Sequence, residues 1–326
     1  MSLSSRTLKL AMMAFLATFL IPGTTVQSIS ARTITDSKSI KNSIRSFVLK
    51  YGDSSVIVRV YGDSWLLKQS DLASWVDDAA RSVILYYGKL PLTRTVVSVR
   101  QTPGRGVGFA TASYSDRFEE GRIKVNLGRF TRAWDLDDTW TLTHEMTHLT
   151  FPLVNDKYNW LTEGIATYVE PIGRYRAGLI SKEKLWGDLV EGLPQGQPRA
   201  GDRGLNHTHT WGRTYWGGAL FCLVADLELR KRTNNKLGLE QALRAIMYSG
   251  ATAKSDLLEA DGIIALADRG TGTSVLSKLY DQHKDRPVTV NLHQIWSQLG
   301  IRKAGGRITF NDQAPLAHIR RAIEKQ

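Results

Sequence analysis

The chain has 326 residues, of which 42% are hydrophobic and 23% charged. That composition supports a large core in one or two domains and excludes a generally disordered chain. The formal net charge of +12 raises a polyanion-binding surface, but the basic residues are scattered with no long basic run, so no nucleic-acid partner is expected.

Taken in order, Arg6 and Lys9 precede an apolar run at 10–21, which Pro22 and Gly23 break, and small residues follow at Ser28, Ser30 and Ala31. This is the order of a secretory signal peptide over 1–31, so the protein is expected to be exported, periplasmic or secreted. The run is too short to span a bilayer comfortably, and no other stretch reads as a membrane helix, so no stable transmembrane segment is expected after cleavage. Residues 32–55 are polar and serine-rich and read as a flexible lead-in with one short helix.

Residues 56–61 alternate and are β-branched, which predicts a strand. Ser70 and Asp71 read as the cap of a helix to 87, stopped by Gly88. Its Leu72, Trp75, Val76, Ala79, Val83 and Tyr86 recur at helical spacing and are expected in the core. A second strand follows at 93–100. The glycine-rich 103–109 lacks the lysine of a phosphate loop and reads as an irregular loop at a cleft edge. Residues 121–127 read as a third strand, the edge strand lining a groove, with Glu119 and Glu120 in an exposed turn. Asp135, Asp137 and Asp138 read as the acidic opening of a helix that Pro152 ends.

A helix over 159–170 is expected to stop before Pro171, and a short one lies near 181–190. The stretch 192–212 reads as a long loop of the kind that is often functional. A largely apolar helix spans 213–232, and four more are expected at 238–248, 255–268, 273–284 and 292–299. The order defines an α+β fold: a small mixed β-sheet lobe to about 150, then a mainly α-helical lobe, in one domain over 56–326 with no separating linker. Cys222 is the only cysteine, sits in an apolar helix and reads as a buried structural thiol. His207 and His209 read as a polar loop, and Asp261, Asp268 and Asp281 as solvated helix faces.

The chemistry concentrates in His144-Glu145-Met146-Thr147-His148, an H-E-x-x-H pattern. Residues four apart on a helix share a face, so both imidazoles can reach one ion. Zinc suits two neutral imidazoles, and Glu145 is placed to act as general base on a zinc-bound water. Glu163, at the start of the next helix, is the third-ligand candidate; its other reading is a first-turn carboxylate satisfying the helix dipole. Two imidazoles, one carboxylate and an open position make a catalytic site, whereas structural zinc sites are closed. No G-x-S-x-G elbow or nucleotide-binding fingerprint occurs.

The H-E-x-x-H pattern followed by Trp160-Leu161-Thr162-Glu163-Gly164 resembles the gluzincin metallopeptidases, which include thermolysin, the aminopeptidase N family and the glycyl aminopeptidase family. The chain is most similar to the last of these. Its stretches 215–233 and 239–247 resemble that family's tyrosine-bearing helix and the helix after it, and 71–91 its helix leading into a G-x-L-P turn. The likeness covers about 56–301, the catalytic region, without the N-terminal β-domain and PDZ module common there.

The resemblance implies a thermolysin-like gluzincin catalytic fold, one Zn2+ per chain ligated by His144, His148 and Glu163, and a peptide or protein substrate. It implies that Glu145 activates water and that Tyr215 steadies the oxyanion. Aminopeptidases of these families carry a glutamate in a glycine-rich strand for the substrate's free amine. The matching 106–112 has no acid. Exopeptidase and endopeptidase action therefore both stay open, with a catalytically inactive, peptidase-like envelope binding module as the alternative. Arg213 either touches substrate or is solvated surface.

Overall fold

The computed structural model describes residues 35–38, 44–63 and 65–325. The signal peptide expected over 1–31 lies outside the described residues. No helix among the described residues is long and apolar enough to cross a membrane.

Strands β1 (Thr35–Lys38), β2 (Ile44–Tyr51), β3 (Ser54–Tyr61), β4 (Arg94–Thr102), β5 (Val107–Ser115) and β6 (Glu120–Gly128) form one sheet in the order β1-β2-β3-β4-β6-β5. The β3–β4 and β4–β6 pairs are parallel, and the others antiparallel. Helix α1 (Gln69–Tyr87) makes the crossover between the parallel strands β3 and β4. Val56, Val58 and Val60 of β3, Val97 and Val99 of β4, and Ile123, Val125 and Leu127 of β6 are buried in the core.

Against the expectation of a flexible lead-in, 44–51 is a full strand paired with β3 along its length. Its serine and charges mask a period of two, in which Phe47 and Leu49 are buried. The compact unit therefore begins upstream of residue 56. The groove-lining edge strand is β5, not 121–127: β6 lies inside the sheet between β4 and β5. Glu120 is likewise no exposed turn residue. It is 2% exposed and bonds Arg94 at 2.8 Å and Arg122 at 3.1 Å.

Helix α1 buries the expected stripe from Leu72 to Tyr86. Its N-cap is Lys68, whose N–H donates to Asp71 Oδ2 at 2.8 Å, so Asp71 caps from inside the first turn. Gly88 closes the helix at φ +90, a conformation that favours glycine.

Helix α2 (Thr141–His148) starts later than the acids suggested. Asp135 instead caps a preceding 3-10 turn at Ala133–Asp135 and pairs with Arg105, while Asp138 pairs with Arg174 at 3.0 Å. The helix ends at His148, before Pro152. Helix α3 (Asn159–Arg176) runs through Pro171, where a stop was expected. Buried Tyr168, Val169 and Ile172 flank the proline, and the Glu170–Arg174 ion pair at 2.9 Å spans it. Packing on both sides outweighs the one backbone bond that proline removes.

The second half is helical: α4 (Lys182–Gly192), α5 (Gly218–Arg232), α6 (Leu239–Tyr248), α7 (Ala260–Thr271), α8 (Val275–His283), α9 (Leu292–Leu299) and α10 (Ala317–Glu324). Before α10, β7 (Ile301–Ala304) and β8 (Arg307–Phe310) form a separate hairpin. Asp268 is 7% exposed and not solvated: it accepts from the N–H groups of Leu276 and Ser277 at 3.0 Å each, fixing the start of α8. Cys222 is buried as expected, and burial pushes its thiol pKa up.

Candidate metal centre and cleft

Helix α2 carries His144, Glu145 and His148 and packs against α3, whose first turn carries Glu163. Trp75 of α1 donates to Thr139 Oγ1 at 2.8 Å, which fixes the chain just ahead of α2. The three-residue 3-10 turn Asp156–Tyr158 leads directly into α3, so the two helices meet across a short connection.

The result is a convergence of three donors. One ligand atom each from His144, His148 and Glu163 lie within 4.8 Å of one another. His144 Nε2 stands 3.1 Å from Glu163 Oε2, and His148 Nε2 stands 3.5 Å from the same oxygen. Two imidazoles and one carboxylate are a donor set that fits zinc and leaves a position open. The described residues contain no other such cluster of histidine, cysteine and acidic groups.

Electrostatics follow the geometry. Burial would raise the Glu163 carboxyl, but hydrogen bonds from both histidines hold it at about 2. Burial lowers His144 against the pull of Glu163. His148 is also opposed by burial, yet Glu163 and Glu145 hold it above its ordinary value. Burial raises Glu145, whose carboxylate accepts the Ala112 N–H of β5. A raised carboxylate facing a cleft has the character of a general base.

Strand β5 forms one wall. Its pairing with β6 is irregular between Val107 and Ala110, where a bulge interrupts the ladder. The residues from Phe109 to Ser113 border a cavity of about 410 Å³ that also exposes His144, Glu145, His148, Glu163 and Tyr215. The loop expected over 103–109 is strand from Val107 on, in keeping with the likeness of 106–112 to a glycine-rich strand, and it lies against α2.

Tyr215 arrives from a π-helical turn, Gly212–Gly217, ahead of α5. Such turns often present functional side chains. Its hydroxyl bonds Glu163, and burial followed by the Glu163 charge pushes its pKa up to about 12. Its ring stacks on His144 at 6.2 Å. Arg213 is neither a substrate contact nor solvated: it is 4% exposed, pairs with Asp202 at 2.7 Å and donates to the Gly196 carbonyl. It therefore fixes the turn that carries Tyr215. The stretch 192–212 is fastened rather than free, by Gln197 to Val290 and by Leu205 and Asn206 to His283 and Lys284. His207 faces Asp285 at 2.9 Å, outside the cleft, and no metal cluster includes it or His209.

No protein-family model matches the chain, and no curated protein sequence matches it. Among solved structures, an aminopeptidase N family protein from Idiomarina loihiensis aligns with a TM-score of 0.60. Identity is 14%, over 79% of this chain and 49% of that one. The M1 zinc metallopeptidase of Deinococcus radiodurans aligns at a TM-score of 0.48 and 16% identity, over 79% of this chain and 53% of that one. Yeast LTA4 hydrolase aligns at 0.47 and 11%, over 80% and 46%. The chain spans about half the length of these structures. What it shares with the first is the fold: a β-sheet lobe and helical region of the aminopeptidase N type.

Proposed function

We infer that the protein is an exported zinc-dependent metallopeptidase, of the gluzincin type and thermolysin-like in its ligand set, acting on peptide or protein substrates. The observation that carries this reading is the convergence of His144, His148 and Glu163 on one point, with Glu145 turned into the same cleft. The fold shared with an aminopeptidase N family protein supports it.

A zinc ion held by His144, His148 and Glu163 would polarise the scissile carbonyl and lower the pKa of a water toward neutrality. Glu145 takes the proton of the attacking water and passes it to the leaving amine. Its raised pKa, caused by burial, suits it to both duties. Tyr215 keeps its proton, since its pKa stands at about 12, and donates a hydrogen bond to the developing oxyanion. For that it must exchange its bond to Glu163 for one to substrate. The Ala112 N–H steadies Glu145 from the strand side. Residues 1–31 act in this reading as the export signal.

The test is Glu145→Gln in the full chain. It should keep its zinc and lose hydrolysis by about 100-fold or more. Full activity in that variant would overturn the mechanism, and zinc retention without turnover in the parent would favour the inactive binding module.

A further inference from the structure

Ten large apolar side chains stand exposed among the described residues, and four of them surround the cleft. Phe109, at the β5 bulge, is 74% exposed, and Leu153 is 53% exposed; both line the cavity. Trp140, 51% exposed, meets His144 edge-on at 5.3 Å. Trp211, 60% exposed, stacks on Tyr215 at 5.9 Å. Since Tyr215 stacks on His144, the rings of Trp140, His144, Tyr215 and Trp211 make one continuous row. The two histidine and tyrosine rings in its middle belong to the reaction centre, and its two ends are open tryptophan faces. Apolar surface left in water is unfavourable relative to burial, and contiguous patches of it mark binding surfaces.

The charges of the cleft point the same way. Among the described residues its carboxylates are Glu145 and Glu163, and no lysine or arginine lines it. Glu163 is engaged by both histidines, and Glu145 accepts from Ala112. A desolvated substrate ammonium or terminal carboxylate needs a counter-charge to offset the loss of water. The interior of a polypeptide brings neither charge.

The geometry points to a substrate bound through the interior of its chain, with apolar or aromatic side chains flanking the scissile bond. These side chains pack on Trp140 and Trp211 at the ends of the ring row and on Phe109 and Leu153 along the cavity. This rests on the peptidase reading above and names its substrate class: internal, apolar stretches of polypeptide, not free amino termini.

The experiment uses the full chain loaded with zinc and internally quenched peptides blocked at both ends. Two sequences carry Phe or Leu beside the scissile bond, two matched ones carry Asp or Lys, and one further Phe peptide, the exception to the blocking, keeps its amine free. The blocked Phe and Leu peptides should be cleaved internally and preferred over the charged ones by tenfold or more, about the discrimination one apolar contact gives. Trp140→Ala and Trp211→Ala should each lower kcat/KM on the Phe peptide about tenfold, mainly through KM, and narrow that preference. Trp211→Phe, which keeps a ring, should retain most of it. Leu66→Ala, an exposed apolar residue outside the cleft, should change nothing. Release of single residues from free amines alone would overturn the inference, as would equal losses on all peptides in the tryptophan variants. Failure to cleave any peptide with zinc bound would overturn the peptidase reading itself, whereas free-amine preference overturns only the substrate class.

Discussion

Gly164 and Gly218 pack backbone against backbone where α3 crosses the start of α5, and a Cβ on either would collide with main-chain atoms of the other helix. Each flanks a residue of the cleft. Gly164 follows Glu163, and Gly218 lies one turn past Tyr215. The close crossing lets a carboxylate on one helix and a phenol on the other share a hydrogen bond.

Gly164→Ala should therefore act on structure and site together. The added methyl group has rigid backbone to push against, so a loss of about 1–3 kcal/mol is expected from overpacking. Thermal unfolding would show it, and zinc affinity should fall as Glu163 is displaced. An alanine variant with unchanged melting and zinc affinity would mean the two helices are not held this tightly.

Asp202 and Arg213 should prove a stability pair that also serves Tyr215. Their side chains are 1% and 5% exposed. Arg213→Met strands a buried carboxylate, for which a loss of about 3–5 kcal/mol is expected in urea unfolding. Asp202→Leu combined with Arg213→Met should recover much of that loss, because neither charge is left alone. Peptide turnover should fall more in the single variant than in the double one.

Glu170 gives a pH dependence with a definite sign. Burial, opposed by Arg174, holds its carboxyl up at about 7. An unfolded glutamate titrates at about 4.3. Between those values the folded chain keeps a proton that the unfolded chain has released, so stability falls as pH rises through that window. Comparison with Glu170→Gln isolates the effect, because the variant cannot titrate there. The parent should lose on the order of 3 kcal/mol relative to the variant between about pH 4 and pH 8. A flat difference across that range would contradict the burial argument.

Much of this was legible in the sequence because it rests on local period and spacing. The stripe from Leu72 to Tyr86, the buried Cys222 and the shared helix face of His144 and His148 follow from such patterns. The 15-residue step from His148 to Glu163 marks a short helix–helix connection, but only the tertiary fold turns it into a 3.5 Å approach. Strand β5 was hidden by two glycines: Gly106, at positive φ, stands just before the strand, and Gly108 lies in the bulge between Val107 and Ala110. Gly305 and Gly306, both at positive φ, are the turn of the β7–β8 hairpin, a signal available in the sequence and passed over. The continuation of α3 past Pro171 and the burial of Glu120 and Asp268 were not legible. They depend on partners distant along the chain or on packing that a local rule does not see. The π-helical turn bearing Tyr215 likewise left no periodic trace, and neither did the Arg213–Asp202 pair that holds it.

The most direct measurement is metal content. Full-length protein and a His148→Ala variant are incubated with zinc, freed of excess and assayed by atomic emission. The expected result is close to one zinc per chain in the parent and a loss of about 10-fold or more in affinity in the variant. A parent chain that holds no zinc after such loading would contradict the metal centre and, with it, the hydrolytic reading of His144, Glu145, His148 and Glu163.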